Sequence, residues 1–454
     1  MLSLLDALCD IPSLQPMSVA ITKARSLSQI VLIALRWACT LSCIIVQQEL
    51  ERRAKLLTPW PRCPQCGVRL QSKGLRPRKI FTLLGVIRWK RRVGRCPNKC
   101  HVGQVVPLDE SLGLAPYQET STEVKKLSCA LAVFVPFEIA AKLLEMLSGA
   151  QVCAGSIWQW VQEAGQREMQ KIERELHMLA EGGMVEEEPL DPATARMTLL
   201  IGADGVMAPF RPNVGTPKGK TVWREVKVGI LVRFGRRITR KGKDVPHILR
   251  RRVAAVLGTA DDFSPRMVLE AKRQGFLLAP KVIWLSDGGR WLWKLFSEHF
   301  EQHAIGILDF YHAAQNLWKG ITACLDGRTK KARAWFVTLR HRLRHDDPDG
   351  VLDHLQRALD LEGLPKSAAK TLGNLYAYLE KHREHINYAE YKALGLPIGS
   401  GLVESACKWL IQQRFKGVGM RWSEDGFNHL LHLRLAWVNS RFDEVFEPKG
   451  SPNV

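Results

Sequence analysis

The chain has 454 residues, with 66 Lys and Arg against 45 Asp and Glu, a formal charge of +21. A balance this basic is unlike that of an ordinary cytosolic enzyme and attracts polyanions, and the length is too great for one core, so roughly two to four domains are expected. Eleven cysteines, an odd number, exclude a secreted disulfide scaffold and fit a reduced, intracellular chain.

The opening lacks a basic n-region and a small-residue cleavage site after an apolar core, so no secretory signal is expected. Residues 28–55 read as one helix, stopped at Thr58 and Pro59, within an N-terminal helical region (1–60). Its most apolar stretch, 30–46, is interrupted by Arg36 and falls short of the roughly 20 residues a span needs. The expectation is a buried or partner-facing helix, with no membrane association.

Residues 61–106 read as a zinc-ribbon-like module. Cys63 and Cys66 in CPQC, and Cys96 and Cys100 in CPNKC, have knuckle spacing, with 29 residues between the pairs. Structural Zn²⁺ takes four tetrahedral thiolate or imidazole ligands, which these cysteines supply; His101 is an alternative to Cys100. Residues 62–100 hold twelve Lys or Arg and no Asp or Glu, with strand-type residues around Gly85, which predicts a basic β-hairpin. Its Arg88, Lys90, Arg91 and Arg92 are candidate DNA contacts.

Helical patterns follow over 121–133, 136–147 and 156–167, inside a helix-turn-helix-like module at 115–178. The last pair has the size of a DNA-reading unit, although two packed helices joined by a turn are commonplace, and Trp158 and Trp160 read as packing residues. Residues 179–195 are acidic and punctuated by Gly and Pro, as in a linker.

From 196 to 446 apolar runs fall at 197–201, 226–234, 253–257, 282–285 and 304–308, with Val226, Val228, Ile230, Val232 and Phe234 alternating as in a half-buried strand. Helical stretches at 265–274 and 290–300 separate the last three runs. Three strands, helix, strand, helix, strand is the order of an RNase H-like mixed-sheet core, here with a helical insertion at about 313–395. The fold class is thus multidomain α/β. Two stretches, 236–252 and 319–344, each hold eight Lys or Arg and read as a phosphate track.

Three carboxylates stand out: Asp204 in GADG, Asp287 in SDGG and Glu404 in GSGLVES. Asp-Gly also makes ordinary turns leaving a sheet. If the strands are parallel, both Asp residues reach comparable sheet edges, with Asp309 ending a third strand nearby. Glu404 has no capping-box duty, because Ser400 as N-cap puts Val403 at N3; its bland role is an i,i+4 pair with Lys408. Mg²⁺ or Mn²⁺ is held by a few such carboxylates, and two ions about 3.5 to 4 Å apart can activate an attacking oxygen and stabilise a leaving one.

Together with Asp309-x-x-His312 in LDFYHAAQNLW, these motifs resemble bacterial insertion-sequence transposases of the DDE type, Mutator-like, ISKra group, over about 197–437. The stretch with Arg414, Phe415, Lys416, Gly417, Met420 and Trp422 is the most specific part of the resemblance. The resemblance implies Asp204, Asp287 and Glu404 as the metal-binding triad, Asp309 and His312 in support, and Arg414, Lys416 and Arg421 on DNA. It implies cleavage at the ends of a mobile element and strand transfer into target DNA, by a homo-oligomer on double-stranded DNA in the bacterial cytoplasm, at the nucleoid. A catalytically silent, domesticated DNA-binding regulator is the alternative.

Overall fold

The computed structural model describes residues 15–56, 60–100, 103–212, 220–238, 240, 242, 244–345, 347–361 and 363–447. The opening segment, the Thr58 and Pro59 stop, His101, Asp346 and Glu362 of two insertion turns, and the tail from 448 lie outside them, as do the side chains of 236–239 in the first basic stretch. The chain divides into two compact units, 1–161 with 446–454, and 162–445.

In the first unit, α1 (Gln15–Thr22) precedes α2 (Leu27–Lys55), whose N-cap Ser26 accepts a hydrogen bond from Gln29 N and whose last turn carries Arg52, Arg53 and Lys55, matching the helix dipole. Of the described side chains of α2 only Trp37 and Ala54 are buried, while Leu27, Ile30, Val31 and Leu35 are exposed. The buried half of that expectation therefore fails, leaving the partner-facing one, and at 29 residues α2 is long and apolar enough to cross a membrane.

The predicted hairpin is present and longer than read: β1 (Gln71–Thr82) pairs antiparallel with β2 (Gly85–Arg95). Ile80, Ile87 and Trp89 pack against Cys43, Val46 and Leu50 of α2. Three helices follow: α3 (Thr122–Phe134), α4 (Phe137–Ser148), closed by Gly149 at φ 74°, and α5 (Ala154–Ala180). Trp160 packs against the cluster of Val124, Leu144 and Ala150, as expected, but Trp158 is exposed. Helix α5 runs well past the predicted end at Arg167, and the division between units falls inside it rather than at the acidic segment.

The second unit is built on a five-stranded mixed sheet of order β5-β4-β3-β6-β7. Strands β3 (Thr198–Phe210), β4 (Val222–Ile238) and β5 (Asp244–Leu257) form an antiparallel meander, while β6 (Val282–Ser286) and β7 (Ala304–Leu308) run parallel to β3. Helix α6 (Ala260–Arg273) starts five residues earlier than read, at a Thr259/Asp262 capping box. Helix α7 (Arg290–His299) joins β6 to β7. The insertion follows as α8 (Phe310–Cys324), α9 (Lys330–Arg344), α10 (Pro348–Leu359), α11 (Lys366–Lys381) and α12 (Tyr388–Ala393). Helix α13 (Gly401–Ala406) then passes through a π-helical segment, Cys407–Gln412, into α14 (Gln413–Phe415), and α15 (Glu424–Val438) closes the unit.

Two glycines show which helix covers which face. A Cβ on Gly229 would stand 2.4 Å from Met267 Sδ of α6, whereas one on Gly202 would stand 2.7 Å from Val403 of α13. Gly229 pairs with Ala203, the neighbour of Gly202, so alternation puts the two helices on opposite faces.

The acidic segment is docked, not free. Glu188 binds Arg250, Arg252 and Arg441, its backbone N–H donates to the Arg273 carbonyl, and Arg441 also binds Glu270. Burial pushes the Glu188 carboxyl up, but the Arg441 and Arg252 guanidiniums outweigh it and hold it at about 2. Arg250 and Arg252 are thereby withdrawn from the expected phosphate track.

Candidate active site

The parallel register decides where the aspartates lie. Leu199 of β3 pairs with Val282 of β6, and Asp204 and Asp287 each come five residues later. Ser286 pairs with Leu308 of β7, and Asp287 and Asp309 each come one residue later. The three aspartates are therefore level across three adjacent parallel strands. Asp204 does not end its strand as read, however: β3 runs on to Phe210 as one arm of its hairpin with β4. Asp287 does leave the sheet in a turn, with its Oδ1 accepting from Gly289 N at 2.9 Å.

Asp309 is spoken for. It is 1% exposed, with Oδ1 accepting from His312 N at 2.8 Å and Oδ2 from the backbone N–H of Ser400. Burial pushes its carboxyl up, but the His312 and Ser400 donors prevail and hold it at about 2. His312 Nδ1 stands 3.5 Å from the same carboxylate, which raises the imidazole despite partial burial. Asp309 thus ties the end of β7 to the turn that starts α13.

That turn aims Glu404. Val403 is buried against Gly202, two residues before Asp204 on the same face of β3, and a Cβ on Gly202 would also come within 2.6 Å of the Leu285 carbonyl. Glu404, next in sequence, is exposed in the first turn of α13, and among the described residues it has no ion-pair partner, Lys408 included. The π-helical segment begins three residues on, and such segments occur frequently at functional sites.

Burial raises the Asp204 carboxyl, and the charges of Asp287 and Glu404 add to it, against the Gly205 N–H and His312. Asp287 and Glu404 are therefore close enough for their charges to act on Asp204. Sequence reasoning missed Tyr378 of α11: a Cβ on Gly288 would stand 2.1 Å from its ring, so the second glycine-bearing turn is small because this tyrosine covers it. Burial first, then the Asp287 charge, pushes the Tyr378 hydroxyl up. Its place in an insertion helix leaves no signal in the sequence.

The structure divides the predicted DNA contacts. Arg88, Lys90, Arg92 and Arg421 are exposed, and Lys416 is half-buried over the Trp223 ring. Arg91 is buried, 3.2 Å from Asp109 and donating to the Arg76 and Pro77 carbonyls, and Arg414 is 1% exposed with its guanidinium over Trp422. Both are packing cations and corrections to the sequence reading, since neither reaches a surface.

Cys63, Cys66, Cys96 and Cys100 come together with their sulfurs within 4.8 Å of one another, the one such group of three or more His, Cys, Asp or Glu among the described residues. Tetrahedral Zn–S bonds of about 2.3 Å put sulfurs about 3.8 Å apart, so this cluster fits a structural metal such as zinc. Hydrogen bonds from Val68 N and Cys96 hold Cys66 at about 7, while those with Cys66 and Cys96 push Cys100 up to about 12. Four thiols at this spacing cannot all ionise without a cation among them.

No family model and no curated protein matches the chain. Among solved structures, the Drosophila P element transposase strand transfer complex aligns over 73% of this chain and 94% of its own, at 10% identity and a TM-score of 0.31.

Proposed function

We propose that this chain is a DDE-type transposase with an RNase H-like core, most similar in its motifs to the Mutator-like ISKra group, acting on double-stranded DNA. The observation that carries the reading is the level register of Asp204 and Asp287 on neighbouring parallel strands, with Glu404 delivered to the same face of the sheet by the Val403–Gly202 contact. The net charge of +21 supports a polyanionic substrate.

By chemical type the donors suit Mg²⁺ or Mn²⁺, being three hard carboxylates, one of them, Asp204, raised by burial and by the other two, although their oxygens do not gather within 4.8 Å of one another as the cysteine sulfurs do. Asp204, Asp287 and Glu404 would hold the metal, which when bound polarises phosphate oxygens and activates an attacking hydroxyl. Asp309 fixes the start of the Glu404 helix, and His312 offsets part of the negative charge. Tyr378 covers the Gly288 turn next to Asp287.

The test is Mn²⁺-dependent cleavage of a plasmid carrying this gene with its native flanks, by wild type and by Asp204→Ala. Cuts at the gene's borders by wild type alone support the transposase and map the ends. Cutting by neither, with flank binding retained, moves the reading to a DNA-binding regulator.

A further inference from the structure

Helix α2 presents an apolar stripe on the side that the hairpin leaves bare. Leu27, Val31, Ala34, Ala38, Leu41 and Ile45 recur at alternating intervals of four and three residues. All but the half-buried Leu41 are exposed, Leu27 by 77% and Val31 and Ile45 by 56% each. Ile30 and Leu35, exposed on either flank, widen the stripe. At 3.6 residues per turn it lies on the far side of the helix from Cys43, Val46 and Leu50, which pack on the hairpin, and from Gln47, whose Oε1 accepts from Arg88 N at 2.9 Å. Exposed apolar surface this continuous marks an interaction site.

The spacing names the kind of partner, because a repeat averaging about 3.5 residues keeps one seam turned toward a second helix. The stripe is also its own complement. In an antiparallel pair centred level with Arg36, Leu27 meets Ile45, Val31 meets Leu41 and Ala34 meets Ala38, and twofold symmetry makes each contact twice. Charge selects that direction. Between Asp10 and Glu49 the chain has no acidic residue, and its cations there are Lys23, Arg25 and Arg36. Antiparallel pairing sets Lys23 opposite Glu49 and near Glu51, whereas parallel pairing sets Lys23 beside Lys23 and, just past the stripe, Arg52 beside Arg52. Glu49 also holds Arg52 and Arg53 of its own helix, while Glu51 has no ion-pair partner among the described residues. Lipid fits less well: α2 is free of the hairpin only from Leu27 to Ser42, about 24 Å against the roughly 30 Å of a bilayer core, with Arg36 exposed midway. We propose that α2 pairs antiparallel with α2 of a second copy, making the chain a dimer through its first unit. The pairing uses no residue of the candidate site and is independent of the DNA reading.

Full-length protein is examined by sedimentation velocity at micromolar concentration, in salt high enough to release nucleic acid. Wild type is expected to sediment as a dimer. Ala34→Glu and Ala38→Lys should each give a monomer, and the two together in one chain should restore the dimer, because antiparallel pairing sets each new glutamate against a new lysine. Val31→Glu should also give a monomer, and Arg36→Glu, off the stripe, should leave the dimer intact. All four positions are exposed, so circular dichroism melts should match wild type. A monomeric wild type overturns the proposal, and its pelleting with phosphatidylglycerol vesicles, lost in Val31→Glu, would assign the stripe to lipid instead. A dimer that Val31→Glu leaves intact overturns it too, since the contact then lies elsewhere. A double variant that stays monomeric overturns the antiparallel register.

Discussion

Asp309 shows how a residue can matter to the proposed site without being one of its proposed metal ligands. Both its oxygens are used by backbone N–H groups of His312 and Ser400, so Asp309→Ala should loosen the start of α13 and let Glu404 drift. Outer partners of this kind typically cost 10- to 100-fold on loss; cleavage by Asp309→Ala should fall by about that factor and recover partly at high Mn²⁺, whereas Asp204→Ala should show no recovery. Glu188 is the counterpart in stability. With Arg250, Arg252 and Arg441 around it, Glu188→Ala leaves buried charges uncompensated and should cost about 3 kcal/mol in denaturant unfolding. Because its carboxyl is held down at about 2, its contribution is complete above the ordinary value near 4.5 and is lost as pH falls through about 2. Wild type should therefore lose stability over that window more steeply than Glu188→Ala.

At the scale of elements, strand alternation settles questions that charge counting does not. Along β2, Ile87, Trp89, Arg91 and Val93 are buried while Arg88, Lys90 and Arg92 are exposed. The period of two was legible in the sequence, and applying it would have set Arg91 apart from its neighbours; the Asp109 that receives it lies beyond the hairpin and was not. Arg92→Ala should lower DNA affinity and flatten its salt dependence by about one contact, with the melting temperature unchanged. Arg91→Ala should instead lower the melting temperature. The cysteine spacing was legible for the same local reason, since short knuckles carry their geometry in sequence. One zinc per chain is expected by metal analysis, and chelation should expose four thiols to a thiol reagent; fewer than one zinc with four reactive thiols at the outset would refute the metal site. The strand-helix order of the sheet was readable from apolar runs and the alternation of β4. What was not readable was reach: β3 continues past Asp204 because β4 pairs with it over its whole length, a tertiary fact. Tyr378 was opaque too, because its place over Gly288 depends on a partner far away in the chain, whereas Arg414 lies over Trp422 only eight residues on and what hid it was its burial, a matter of tertiary packing.

For the whole molecule, composition indicated a multidomain basic protein, but the division lies where composition is silent. The acidic stretch read as a linker; it is a clasp, and the boundary sits within α5 at Val161. The latter part of that helix belongs to the sheet unit: a Cβ on Gly165 would stand 2.1 Å from the His429 carbonyl, Gln162 lies 2.8 Å from His429 Nδ1, and Glu173 and Glu175 bind Arg266 and Arg273. This bears on how the protein can be dissected. A fragment of the sheet unit trimmed to begin at 196, as sequence would advise, takes a carboxylate partner from five guanidiniums, those of Arg250, Arg252, Arg266, Arg273 and Arg441, of which the last two keep Glu270, and opens a seam along α15; one beginning at 162 keeps every one of these partners. Side by side in bacterial expression, the longer piece should be soluble and melt cooperatively and the shorter should aggregate, so the segment that reads as disposable spacer is the part that the sheet unit cannot be purified without.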